Sequence, residues 1–189
     1  KDINIVYKKN IRENLDVFKR IHNLEQDITD AADEMIRSIK SGGKLIFCGN
    51  GGSASDAQHI SSEFIGRFVN DRDPIYAISI STDTSALTCI SNDYDYEHVF
   101  SRQIHGIGRK NDCLVGISTS GNSKNIENAV IKANEMGIHT IGLLGNDGGN
   151  ITKFCDKSII VDSDITARIQ EAHILIGHTL VELVEKDFF

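Results

Sequence analysis

The chain has 189 residues, 40% hydrophobic and 25% charged, enough to bury one substantial core and short for two, so one domain over residues 1–189 is expected. With 20 Lys plus Arg against 27 Asp plus Glu, the net charge of -7 argues against a nucleic-acid partner, which needs clustered positive charge. A small phosphorylated ligand stays admissible, because backbone N–H groups at a helix N-terminus bind phosphate without net charge.

The first residues, Lys1-Asp2-Ile3-Asn4, carry no apolar stretch of a secretory signal, and the longest apolar runs, such as Leu45-Ile46-Phe47-Cys48, fall far short of the ~20 residues a membrane span requires. A cytoplasmic protein with no membrane contact is expected. From Ile11 to Ile39 the apolar residues Ile11, Leu15, Phe18, Ile21, Leu24, Ile28, Ala31, Met35 and Ile39 recur every three or four positions, the pattern of a long amphipathic helix with room for one break. Residues 1–40 thus form a helical extension with more apolar stripe than a small sheet covers, which points to packing against another copy of the chain or to a helical pair within it.

After Gly42-Gly43 come five short apolar runs, Lys44 to Cys48, Ile75 to Ile80, Cys113 to Ser118, His139 to Leu144 and Ser158 to Val161, with helical stretches between them. Continuous rather than alternating hydrophobicity suits strands buried on both faces, and the helices supply the crossovers of parallel pairing. The expected fold is a three-layer α/β/α domain with a five-stranded parallel sheet, closed by a helix over Thr166 to Asp187. Ligands of such sheets bind beyond the carboxyl ends of the strands. The four cysteines, Cys48, Cys89, Cys113 and Cys155, are widely spaced without a CxxC pair and are expected to be reduced core residues.

Two strand ends look suited to oxyanions. The first runs into Gly49-Asn50-Gly51-Gly52-Ser53-Ala54, whose Gly-x-Gly-x-x-Ala spacing is a weak dinucleotide signal and lacks the Lys of a nucleotide-binding P-loop. The third runs into Ser118-Thr119-Ser120-Gly121-Asn122-Ser123, where four hydroxyls in six residues precede a helix beginning near Lys124. One such hydroxyl is an ordinary cap or turn residue. Four after a buried strand favour a phosphate cradle, which a dinucleotide site does not require.

Ionisable residues follow these loops. His59, Glu63 and Arg67 lie at i, i+4 and i+8 along one helical face, a spacing that serves a shared metal, an acid-base pair or an ordinary polar surface. On the last helix His178 sits among apolar residues, where spacing alone favours a core histidine. Gln170 lies eight residues before it, about 80° away around the helix and ~12 Å along it, so one compact site takes both only if side chains lean together or come from different subunits.

Taken with Ile90-Ser91-Asn92-Asp93-Tyr94 and Ala167-Arg168-Ile169-Gln170-Glu171-Ala172-His173, these segments resemble the sedoheptulose 7-phosphate isomerases of the sugar isomerase (SIS) domain superfamily, from about Ile11 to the C-terminus. The resemblance implies a flavodoxin-like SIS fold and conversion of sedoheptulose 7-phosphate to glycero-manno-heptose 7-phosphate, the first step toward the nucleotide-activated heptoses of bacterial surface polysaccharides such as lipopolysaccharide or capsule. It further implies that Ser118, Thr119, Ser120 and Ser123 hold the phosphate, and that Asn50, Gly51, Gly52, Ser53, Asn92 and Asp93 line the sugar pocket, with Arg67 and Gln170 beside them. Glu63 and His178 become the acid-base pair, His59, Glu63, Gln170 and His178 a zinc site with one ion per subunit, and the assembly a homotetramer. Where some members have Asp before Arg-Ile-Gln, this chain has Ala167, so no role of that carboxylate transfers. A related branch binds a replication initiator as an adaptor and lacks the Glu and His equivalents; a phosphosugar-sensing regulator would carry a DNA-binding domain.

Overall fold

The computed structural model describes residues 3–188; Lys1, Asp2 and Phe189, which the one-domain reading takes in, lie outside the described residues. Five strands, β1 (Leu45–Gly49), β2 (Ala77–Ser79), β3 (Cys113–Ser118), β4 (His139–Gly145) and β5 (Lys157–Val161), form one sheet in the order β2-β1-β3-β4-β5. Every pair is parallel, with Leu45 opposite both Ala77 and Cys113, Cys113 opposite His139, and Ile141 opposite Lys157. β1 and β3 are buried along their whole length, as their unbroken apolar sequences require.

Alternate residues of each strand feed two cores. Leu45, Phe47, Val115, Ile117, Ile141 and Leu143 pack under α2 (Glu25–Lys40), α3 (Gly52–Ile65) and α7 (Thr166–Phe188). Ile46, Cys48, Leu114 and Leu144 face α5 (Val99–Ile107) and α6 (Lys124–Glu135), while α4 (Thr84–Asp93) follows β2 and buries no residue fully. The expected three-layer architecture is therefore present.

The N-terminal helix starts earlier than the periodicity marks, as α1 (Ile3–Ile21), and the one break the pattern allowed is a 3-10 turn over His22–Leu24 before α2. α2 buries Ala31, Ala32 and Met35, but α1 buries only Val17 and Ile21. α1 is tied to α7 by polar contacts: Asn14 Nδ2 donates to Glu171 Oε2 at 2.7 Å, and Arg168 donates to the Asn10 carbonyl at 2.9 Å. Ile11 and Leu15, expected on the buried stripe, are 46% and 54% exposed, and Ile3, Ile5, Val6 and Tyr7 are more so. Among the described residues no helix is long and apolar enough to cross a membrane. Cys48 and Cys113 are core residues as expected, but Cys89 is exposed because α4 lies on the rim of the molecule.

Candidate active site

Sheet order reverses between β1 and β3, so the loops that follow these two strands flank the switch point where parallel sheets bind ligands. The loops are joined by a reciprocal amide pair: Asn50 Nδ2 donates to Asn125 Oδ1 at 2.8 Å and Asn125 Nδ2 donates to Asn50 Oδ1 at 2.9 Å. The Tyr96 hydroxyl donates to the same Asn50 oxygen at 2.9 Å. Asn125 and Tyr96 were not singled out in the sequence, because neither belongs to a run of like residues; only their convergence on Asn50 marks them.

In the turn after β3, Ser118 Oγ lies 3.0 Å from Ser123 Oγ and 3.5 Å from Ser120 Oγ. Ser123 is the N-cap of α6, yet its side chain makes no capping bond and pairs with Ser118 instead, which keeps the hydroxyl at a helix N-terminus where partial positive charge favours an anion. The half-buried Thr119 contributes its carbonyl, which accepts from Asn146 Nδ2 at 3.0 Å. Gly121 turns the chain with φ +66°, and a Cβ there would lie 2.3 Å from the Gly148 carbonyl oxygen, so no other residue fits. Gly51, at φ +56°, starts α3 in the same left-handed region.

α3 and α7 lie side by side and run in the same direction. The Gln170 amide rests where a Cβ on Gly52 would be, Gly177 meets Ile60 one helical stretch later, and His178 meets His59. His59 Nε2 is 3.2 Å from Glu63 Oε1 and 3.4 Å from His178 Nε2, and one donor atom from each of the three residues lies within 4.8 Å of the others. Zinc with ligands at 2.0–2.1 Å has tetrahedral edges of roughly 3.3 Å, so two imidazoles and a carboxylate at these separations suit it and leave one position open. Phe68 stacks on the His178 ring with centroids 5.1 Å apart and planes 22° apart. Asp56, one turn before His59, has a buried oxygen without a hydrogen-bond partner; burial pushes its carboxyl pKa up and the nearby His59 pulls it back in part.

Comparison with known proteins decides the family. The family model described as SIS domain matches residues 7–145. The phosphoheptose isomerase of Sulfurimonas denitrificans is 46% identical over 185 residues, covering 96% of this chain and 95% of that protein. The one from Clostridium acetobutylicum is 47% identical over 182 residues, covering 96% and 92%. Among solved structures, the phosphoheptose isomerase from Neisseria gonorrhoeae superposes with a TM-score of 0.93 at 40% identity, over 97% of this chain and 99% of that one. The chain belongs to the phosphoheptose isomerase family of SIS-domain proteins.

Seen as a phosphoheptose isomerase family member, the chain assembles some of the expected residues and separates others. Ser118, Ser120 and Ser123 cluster, and Asn50, Gly51, Gly52 and Ser53 adjoin them through Asn125. Asn92 and Asp93, at the end of α4, are exposed and bonded to each other at 2.9 Å. Arg67 does not continue the His59–Glu63 face: α3 ends at Ile65 and Gly66 turns the chain, leaving Arg67 exposed. The four-residue set His59, Glu63, Gln170 and His178 is not built by one chain, because Gln170 sits against Gly52, seven residues or ~10 Å of helix before His59. His178 is half-buried beside α3 and not in the core; the core histidine is His173, fully buried, with Nε2 2.9 Å from the Leu144 carbonyl. Asp164, near Ala167, is exposed and lines an open concavity of about 800 Å³ with Ser120, Asn122, Asn146 and Asp162. Of the histidine cluster, His59 alone borders a different concavity of about 560 Å³, lined also by Gln58, Ser61, Ser62 and the β2 edge.

Proposed function

We propose that this protein is a phosphoheptose isomerase that converts sedoheptulose 7-phosphate to D-glycero-D-manno-heptose 7-phosphate, supplying the first intermediate of nucleotide-activated heptose synthesis in the cytoplasm. The observation that carries the reading is the meeting of Glu63 and His178 on His59, which gives a carboxylate and an imidazole within one substrate's reach of each other. Glu63 takes a proton from C1 of the open-chain ketose; the electron pair left behind forms the C1–C2 double bond as His178 donates a proton to the C2 oxygen. The C1 hydroxyl proton then passes to His178, C2 takes the proton from Glu63, and an aldehyde remains at C1. All atoms and electrons balance without a co-reactant.

The hydroxyl cradle holds the far end of the substrate, and binding a phosphate that does not react supplies orientation worth ~7 kcal/mol or more. His59, Glu63 and His178 would hold zinc, one ion per subunit, which would supply Lewis-acid polarisation of the carbonyl; because a carboxylate tied to the ion is not a free base, Glu63 would serve the ion and the proton transfer in separate states.

One chain does not complete this site. Ser53 and Glu63 are ten residues apart on α3, about 15 Å along its axis, and the cradle lies at the helix head. Six carbon–carbon bonds reach roughly 8 Å at full stretch. A second copy therefore brings its Glu63 and His178 to the first copy's cradle, in keeping with the exposed apolar residues of α1 and with a homotetramer; Gln170 joins the zinc ligands only across such an interface. Apart from the sugar phosphate and other copies of itself, the reading calls for no nucleic-acid or membrane partner.

The deciding experiment incubates the protein with sedoheptulose 7-phosphate in heavy water and follows product and deuterium at C2. Turnover is expected, and Glu63→Gln or His178→Ala should lower it about 10²- to 10⁴-fold with circular dichroism unchanged. No product from the unaltered protein, with or without added zinc, would favour the adaptor reading, which nothing in the relatives compared supports.

A further inference from the structure

The carboxylate of Glu185, near the end of α7, is fully buried and is a hub for the segment that follows α3. Oε1 accepts from the Phe68 N–H at 3.1 Å and from Arg72 Nε at 2.8 Å; Oε2 accepts from the N–H groups of Val69 at 3.1 Å and Asn70 at 3.2 Å. Three successive N–H groups aimed at one anion make a backbone nest. The Arg72 side chain is as buried as its partner, and its remaining nitrogens donate to the carbonyls of Glu63 at 2.7 Å and Phe64 at 2.8 Å. Burial alone would raise the Glu185 pKa, but these donors outweigh it and hold the carboxyl below its ordinary value.

A buried ion pair is a costly way to pin a loop that apolar packing could hold. What this pair pins is the site. Phe68, the first residue of the nest, lays its ring on His178, and Glu63, whose carbonyl Arg72 grips, faces His59, which in turn meets the edge of His178 with planes 79° apart. The pair thus fixes the position of the carboxylate's backbone and the plane of the imidazole at once.

We propose that Glu185, Arg72 and Phe68 are positioning residues of the isomerase site, setting the His178 ring and the Glu63 backbone in register for proton transfer. The inference rests on the isomerase reading for its kinetics and on geometry alone for its structural part. A displacement near 1 Å costs about 10²-fold in rate, so the effect belongs in kcat and not in phosphate binding.

Two measurements on the full chain test it. In steady-state kinetics with sedoheptulose 7-phosphate, Phe68→Ala should lower kcat about ten- to a hundredfold with KM within about twofold, and Phe68→Tyr, which keeps the stacked ring, should restore kcat. Unchanged kcat, a loss confined to KM, or no rescue by tyrosine would overturn the proposal. In proton spectra with labelled histidine, the His178 ring signals should move in Glu185→Gln, which removes the charge the nest holds, and in Arg72→Lys, which keeps the charge but cannot span both carbonyls, while those of His173 stay in place. Ring signals that do not move in either variant would also overturn it. This second measurement needs no turnover, so it separates failure of the clamp from failure of the isomerase reading; should Arg72→Lys not fold, Glu185→Gln carries the spectra and Phe68→Ala the kinetics.

Discussion

Two histidines five residues apart on α7 have opposite surroundings because five residues turn a helix by about 140°. His173 faces the sheet: Nε2 bonds the Leu144 carbonyl, Nδ1 is buried with no partner, and burial lowers its pKa to about 4 despite that carbonyl. The unfolded chain binds this proton near pH 6.5 and the native chain does not, so the contribution is complete above pH 6.5 and is lost as pH falls toward 4. About 3 kcal/mol of stability should disappear over that window, and urea titrations should show the segment flattened in His173→Gln. A slope identical in the variant would reject the assignment. Asn125 offers a second test: Asn125→Leu removes both bonds to Asn50, and KM for the sugar phosphate should rise about tenfold or more as the Gly51 loop loses its tie, with the secondary structure intact. At this scale the sequence was readable where residues cluster, as in the serine turn, and unreadable where a role depends on rotation about a helix. Spacing favoured His178 as the buried histidine; the helix phase set by Gly177 against Ile60 instead gives that place to His173.

At the scale of elements, the strands were legible because burial on both faces writes itself as an unbroken apolar run, and β3 lies where expected, Cys113–Ser118. Helix ends were less legible. Periodicity carried the His59 face on to Arg67, but Gly66 ends α3, and the chain is then drawn off toward Glu185 by bonds across 113 to 117 residues that no local pattern announces. The turn between β3 and α6 gives the sharpest test of an element. Gly121→Ala would place a Cβ against the Gly148 carbonyl and force a left-handed alanine, at a cost of roughly 1–3 kcal/mol. Its thermal midpoint should fall, and the protection that inorganic phosphate gives the folded protein should weaken with it. An alanine variant as stable and as well protected as the parent would show that this turn is not the cradle.

In the whole molecule the serine turn and the histidine cluster lie in different places. One concavity borders the serine turn and another lies beside His59, and the distance along α3 keeps them apart. Mixed assemblies test whether copies complete each other: chains carrying Glu63→Gln and chains carrying Ser120→Ala with Ser123→Ala should each be inactive alone and should recover activity when co-expressed. Absence of recovery would mean that each chain works by itself. Leu15→Glu, on the open stripe of α1, should lower the oligomer mass in sedimentation and reduce turnover without unfolding the chain. The apolar stripe of α1 was legible in the sequence, and Ile11 and Leu15 on it stay exposed; how α3 and α7 align, which decides what any second copy would supply, was not, because only folding sets that.

β2 is three residues long and lies at the border of the sheet, just after the chain's one proline, Pro74. A border that short offers few unpaired backbone groups to a stray strand. Growth by strand addition is thereby discouraged on this side, so that any pairing of copies falls to helical faces, whose geometry would close on a finite assembly where an open sheet border would propagate into a fibre.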